Sequence, residues 1–398
     1  MGLKVLKMMA STKRWAIASS LLLAAACVNV DGIQNQINSV GNAVTGGGSK
    51  SATVALLLPY SDSNAGVQAL SRSAENAARL ALAGVADNVT IELKVYDTQG
   101  SPTTAASVAT QAVAEGADVI VGPLFAEAAI AAGKAVQPSG VNVLALSNNV
   151  NAAGGNVYVL GNTFENIADR LVSYAGSQGK QRALIVHART SAEVQGRDAL
   201  RQALSDTGIS SATAGYEFSQ QALVEASGRI ANLANNNGVD VMFLTANYAS
   251  GLSTLAQLLP ERGVNPQTVQ YGGTTSWNAQ PQAFQLPGIQ GGWFTMPSQA
   301  KERAFNNRFQ STYGTAPHPV ASIAFDGIAA VAGSLAAGGR QPLSGAGLTR
   351  SRGFEGATGI FRLKSNGRVQ RGLSVATIQG NQVVVIDNAP SSFGGFGS

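Results

Sequence analysis

The chain has 398 residues, 45% of them hydrophobic and 12% charged, with 27 Lys and Arg against 22 Asp and Glu. That balance belongs to a folded globular protein and excludes an acidic or basic disordered one. The nominal charge of +5 is carried largely by Lys4, Lys7, Lys13 and Arg14; the 23 basic and 22 acidic residues that follow leave no electrostatic footprint for nucleic acid.

Those four cations precede an apolar and small-residue stretch from Trp15 to Ala26, so residues 1–26 read as a secretory signal peptide. The stretch is too short to span a bilayer as a mature helix. Cys27, the only cysteine, follows Ala24-Ala25-Ala26 directly. It excludes an internal disulfide and resembles the cysteine of a bacterial lipobox, with Ala24 where that pattern usually has Leu. Cys27 is therefore the expected lipidation site, and two or more acyl chains suffice for a stable anchor. With Val28 rather than Asp in the next position, the resemblance to sorted lipoproteins implies the outer membrane of a diderm cell. Residues 27–50 end in Gly46-Gly47-Gly48-Ser49 and read as a flexible tether with a reach of about 75 Å. Ile33, Ile37, Val40 and Val44 stand at helical spacing behind Asp31, so a short helix could form there. At the other end, 389–398 reads as a disordered tail.

From Val54 onward short apolar runs alternate with longer Ala-rich amphipathic segments, the pattern of βαβ units. The first series predicts strands at Val54 to Leu58, Thr90 to Tyr96, Asp118 to Val121 and Val141 to Leu146. Helices are predicted at Gly66 to Ala83, Thr103 to Glu115 and Ala126 to Gln137. In the second series the strands are Ala183 to Val186, Ala214 to Phe218, Val239 to Leu244 and Val269 to Tyr271. Its helices are Phe164 to Gly176, Glu193 to Thr207, Gln221 to Asn235 and Ser250 to Glu261. Two such series exceed one core. The expected fold is α/β, with two Rossmann-like lobes, parallel sheets and a central cleft. The loops after Leu58, Val121, Leu146, Val186, Leu244 and Tyr271 would form the cleft walls. In Val121-Gly122-Pro123 the glycine permits a tight turn and the proline can precede or open the next helix. That either punctuates a βα turn or aims a helix N-terminus at an anion.

Several segments then carry a specific resemblance. VALLLPYSDSN, KVYDTQGSPTTAASVATQAVAEGADVIVGPL, VNVLALSNN, FNNRFQSTYGTAPHPVASIAFDGIAAVAGSL and GFEGATGIFRLKSNGRV resemble the leucine/isoleucine/valine-binding-protein family of type I periplasmic binding proteins. Within it, VALLLP, VYDTQG, AEGADVIVGPL and VLALSNN are similar to the LppC/LpoA group of lipoproteins that activate penicillin-binding proteins. The resemblance implies three crossings between lobes. Lobe 1 would be 52–162 plus 293–365, and lobe 2 would be 163–292 plus 366–388.

Amino-acid binders of that family hold the ligand carboxylate with hydroxyl side chains after the third and fourth strands. They hold the ammonium with an acid in the second lobe, since a charge taken from water must be paired. Here the first hydroxyl position falls at Ala126, between Phe125 and Glu127, and the fourth strand is followed by Ser147, Asn148, Asn149 and Asn151. The acidic position aligns with Thr274, no aromatic stands near Val194, and Tyr248 is within register of a second family aromatic. The cleft residues expected in lobe 1 are Ser61, Asp62, Phe125, Ala126, Glu127, Ser147, Asn148 and Asn149; in lobe 2 they are Tyr248 and Thr274. Asp62, Glu127, Glu165 and Glu193 could each bring a carboxylate to the cleft, although such groups on loops are ordinarily just solvated.

Enzyme chemistry is poorly supplied. His187 and His318 stand apart, no zinc spacing occurs, and nucleophile elbow, Walker A and dinucleotide fingerprints are missing. No enzyme, metal or cofactor is expected. The resemblance implies a periplasmic, lipid-anchored activator whose partner is a class A penicillin-binding protein. The alternative is the solute-binding component of an ABC transporter, whose partners are a permease and a small polar ligand.

Overall fold

A computed structural model describes residues 50–393. The signal segment, Cys27, the possible helix behind Asp31 and the rest of the tether through residue 49 lie outside the described residues.

β1 (Lys50–Leu58) sends Val54, Leu56 and Leu58 into one apolar core and Ala55 and Leu57 into another, all fully buried. A strand buried on both faces belongs inside a covered parallel sheet. Around it stand β2 (Val89–Asp97), β3 (Val119–Val121), β4 (Asn142–Ala145) and β5 (Val157–Val159), all parallel, in the order β2-β1-β3-β4-β5. α1 (Ala65–Leu82) covers one face with Ala74, Ala78 and Ala81, while α2 (Pro102–Ala114) and α3 (Ala126–Val136) cover the other with Ala105, Ala109, Ala128 and Ala132. Alanine serves here because it favours helix and lets the backbone lie close to the sheet. Asn64 and Ser101 cap α1 and α2 by accepting from Gly66 N and Thr104 N, and Pro102 opens α2, where its missing N–H is no loss.

The chain leaves this sheet through α4 (Phe164–Ser177) and builds a second. Along it run β6 (Arg182–Ala188), α5 (Ser191–Thr207), β7 (Ser210–Tyr216), α6 (Gln220–Asn236), β8 (Val241–Leu244), α7 (Leu252–Glu261), β9 (Gln270–Gly273) and β10 (Trp293–Met296). It then returns to the first sheet's core. α8 (Gln299–Tyr313) packs against α1 through Phe305 and Phe309, and α9 (Ala321–Ala337) contributes Ala324, Ile328 and Val331. A small antiparallel sheet of β11 (Phe354–Gly356), β12 (Gly359–Leu363) and β13 (Val369–Arg371) adds Phe354, Phe361, Leu363 and Val369 to that core. The last pass, β14 (Ser374–Gln379) and β15 (Gln382–Asp387), completes the second sheet in the order β15-β14-β10-β9-β8-β6-β7.

Three expectations are corrected. The second sheet is mixed, because β14 runs antiparallel to both β10 and β15. A two-residue connection, Gly380-Asn381 with φ of 58° and 61°, can only join antiparallel neighbours. β10 pairs with β9 and β14, so the return to the first lobe falls after Met296 and not at 293. Residues 389–393 also make contacts, since Ala389 N donates to Ser374 Oγ at 3.0 Å and the Phe393 ring lies 4.8 Å beneath the Arg362 guanidinium.

The crossings meet at a buried charge pair. Arg371 Nη1 lies 2.8 Å from Asp326 Oδ2, and both side chains are almost entirely enclosed. Arg371 also donates from Nε and Nη2 to Leu160 O at 2.9 and 2.6 Å, while its backbone N–H donates to Asn166 Oδ1 at 3.1 Å. Asp326 Oδ1 accepts from Ala357 N at 2.7 Å. Burial pushes the Asp326 carboxyl upward, opposed by the Arg371 charge and by these hydrogen bonds.

Candidate functional site

In the first lobe the expected residues occupy loops at the C-terminal ends of β1, β3 and β4. Ser61 Oγ donates to Asp97, whose Oδ1 also accepts from Ser61 N and Gln99 N at 3.3 and 2.9 Å. Burial works against the charged form of Asp97, but the bonds from the Ser61 hydroxyl and the Gln99, Ser61 and Tyr60 amides outweigh it and hold the carboxyl below its ordinary range. Asp62 Oδ1 accepts from Asn64 N at 2.8 Å, and a Cβ placed on Gly100 would stand 2.3 Å from Asp62 Oδ2 and 3.5 Å from Phe125 Cε2. With φ of 70°, Gly100 therefore lets three loops converge where no side chain would fit.

Gly122, at φ of 98°, lies against β1, where an added Cβ would come within 2.2 Å of Leu57 O. The Gly122-Pro123 peptide is cis and α3 starts at Ala126, so the proline precedes the helix without opening it. Phe125 is the N-cap residue and 37% exposed, and no side chain caps α3. Ala126 packs partly against the core and Glu127 is exposed in the first turn. Ser147 is buried, its Oγ accepting from Asn149 N at 3.0 Å, and Asn149 in turn caps a short turn by accepting from Asn151 N. Asn148 remains exposed beside Gly161.

The second lobe gathers its polar groups at the ends of β6, β7, β8 and β9. Glu193, in the first turn of α5, is 5% exposed; its Oε2 accepts from Ala188 N at 2.7 Å and from Thr245 Oγ1 at 2.9 Å. Its Oε1 is enclosed and has no hydrogen-bond partner. The same is true of Thr274 Oγ1 and of the Tyr216 hydroxyl. A Cβ on Gly196 would be 3.4 Å from Thr274 Oγ1 and 3.3 Å from Thr245 Cγ2, so α5 packs closely against both threonines one turn after Glu193. Burial raises the Tyr216 hydroxyl well above its ordinary range, with the Glu193 charge adding to it, so this phenol keeps its proton. Tyr248, by contrast, spends its hydroxyl on Trp277 O at 2.6 Å.

Of the four acids weighed from the sequence, Glu193 alone is buried with a free oxygen. Glu165 lies 4.0 Å from Arg368. His187 is buried with Nδ1 2.9 Å from Ala188 O, and His318 Nδ1 accepts from Val320 N at 3.2 Å. Sequence reasoning did not single out Asp97, Tyr216 or Thr245. Among the described residues no group of three or more His, Cys, Asp or Glu side chains is placed to hold a metal, and no helix is long and apolar enough to cross a membrane.

Two sheets joined by three passes of the chain, with polar loops at the carboxyl ends of their strands, define a two-lobed binding-protein fold. The chain belongs to the periplasmic binding protein family, whose profile matches residues 51–382. Its structure is similar to that of an ABC transporter protein from Rhodospirillum rubrum, at a TM-score of 0.69 and 16% identity over 84% of this chain and 100% of that one. A branched-chain amino acid ABC transporter ligand-binding protein from Burkholderia xenovorans matches at 0.64 and 18% identity, over 86% and 97% of the two chains. A solute-binding protein from R. palustris in complex with benzoate matches at 0.53 and 17% identity, over 86% and 97%. No curated protein matches the chain.

Proposed function

We propose that this chain is the solute-binding component of an ABC importer, holding a small polar ligand between its lobes on the periplasmic side of the envelope. The observation that carries this reading is Glu193, a buried carboxyl with one oxygen free and no cation beside it, flanked by the unpartnered hydroxyls of Thr274 and Tyr216. Leaving buried polar groups unpaired costs about 1–3 kcal/mol each, a loss that an amine or other N–H donor would offset once the loops enclosing these atoms open to admit it. Branched-chain amino acids are not the expected ligands, because Ala126 offers no hydroxyl to the ligand carboxylate. Mature chain is to be screened by thermal shift against polar solutes, and the affinity of a hit should fall at least ten-fold in Glu193→Gln. Titration with leucine, isoleucine and valine should give no saturable micromolar heat.

A second reading, a lipoprotein that activates a class A penicillin-binding protein, draws support from Ser61 and Ser147, whose hydroxyls serve their own loops. A screen in which no solute raises the melting temperature, with co-purification of a penicillin-binding protein from crosslinked cells, would decide for it. Either function fits acylation at Cys27, whereas an outer-membrane location suits the activator reading. A Cys27→Ala chain should leave the membrane fraction.

A further inference from the structure

Between Arg340 and Arg371 the sequence holds seven basic residues and one acid, Glu355. The fold collects most of them at the end of the first lobe where the strands begin. Lys50, the first residue of β1, donates through Nζ to Ala336 O in the last turn of α9. Exposed Arg340 follows that helix closely. Arg350 reaches back to Gly333 O of the same helix and lies 5.5 Å over the Phe354 ring. Because β12 runs antiparallel to β11, the turn after Lys364 returns to this end, where a Cβ on Gly367 would stand 2.4 Å from Val157 O at the start of β5. A groove of about 440 Å³ results, lined by Arg350, Arg362 and Lys364 with the hydroxyls of Thr349, Ser351 and Ser365.

Among the described residues none of Arg340, Arg350, Arg352, Arg362 and Lys364 forms an ion pair. Arg362 is held by neutral groups, Gln370 Oε1 and Ser351 O. The acids Glu92 and Asp118, from β2 and from the residue before β3 on either side of β1, are bonded to Thr53, and Asp169 of α4 lies near enough for the Lys364 charge to act on its carboxyl without an ion pair forming. Thr349 Oγ1 donates to Gly345 O, which leaves the hydroxyls of Ser351 and Ser365, the Lys364 ammonium and the guanidinium N–H groups of Arg350 and Arg362 not spent on backbone or Gln370 to match the oxygens of a phosphate group.

We propose that this groove receives the phosphate of anionic phospholipid headgroups, so that the basic end of the first lobe rests on the membrane surface. The membrane is favoured over an acidic protein because the chain enters the fold at Lys50, on this same end, after the stretch that follows Cys27. A lipid anchor on that stretch keeps the domain at high local concentration over lipid, and this end is the one nearest the point of attachment. The inference rests on the anchor reading of Cys27 and is independent of the solute.

The test is hydrogen–deuterium exchange of the full, membrane-isolated chain reconstituted in vesicles of phosphatidylcholine alone or with about a third phosphatidylglycerol. Segments 349–353 and 364–368 should be protected only with phosphatidylglycerol. Each basic residue near an anionic surface contributes enough to change binding about five-fold, so Arg352→Gln and Lys364→Gln should each weaken the lipid-dependent protection by about that factor. Both side chains are exposed, so folding should be unchanged. Equal protection in both vesicles, no response to the substitutions, or the same protection from inorganic phosphate without vesicles would overturn the proposal.

Discussion

Glu193, where the sequence predicts a helix to begin, stands three residues after Thr190, the N-cap residue of α5, at the spacing of a capping box. Half of the motif forms, with Thr190 Oγ1 accepting from Glu193 N at 3.4 Å, while the carboxyl turns away to Ala188 N and Thr245. The diversion depends on strand ends far apart in sequence, so a helix-start acid was legible and a buried, half-satisfied one was not. Thr245 and Thr274 separate structure from function here. Thr245→Val removes the donor to Glu193 and should cost about 1–3 kcal/mol in urea unfolding. Thr274→Val replaces a hydroxyl that has no partner, so stability should hold or rise while solute affinity falls; a loss as large as that at Thr245 would mean that Thr274 is structural. Asp97 supplies a pH prediction. Its folded pKa lies below the unfolded value, so its contribution is complete above the unfolded value and is lost as pH falls through the folded one. Asp97→Asn should therefore lower the melting temperature at neutral pH, and the difference from wild type should shrink in acid.

At the scale of elements, every predicted strand and helix of the two βα series is present, with ends displaced by a few residues. Contiguous apolar runs such as Val54 to Leu58 can be buried only inside a sheet covered on both faces, which is why they read clearly. β10 to β15 were harder: β11 and β13 have three residues each, and their partners lie in neighbouring short strands. Gly380-Asn381 was the available signal for the final hairpin, set between Ser374–Gln379 and Gln382–Asp387. Gly122 tests how the β3 turn is built. Alanine there would combine a strained φ with overlap on Leu57 O, and Gly122→Ala should lose upward of about 2 kcal/mol by chemical denaturation.

At the scale of the molecule, Arg371 and Asp326 tie the first and third passes of the chain to α9. Removing one partner leaves the other buried and uncompensated, so Asp326→Ala should destabilise by about 3–5 kcal/mol, whereas replacing both by apolar residues should cost far less. Thermal unfolding of the two singles and the double checks this as a cycle. The discontinuous second sheet also has a consequence for the order of events in synthesis. Its strands β6 to β10 emerge first, yet the edge of β10 stays open until β14 and β15 have followed, near the very end of the chain. The second lobe cannot reach its finished form before residues 374–387 have been made, so it stays incompletely folded until long after its first five strands exist.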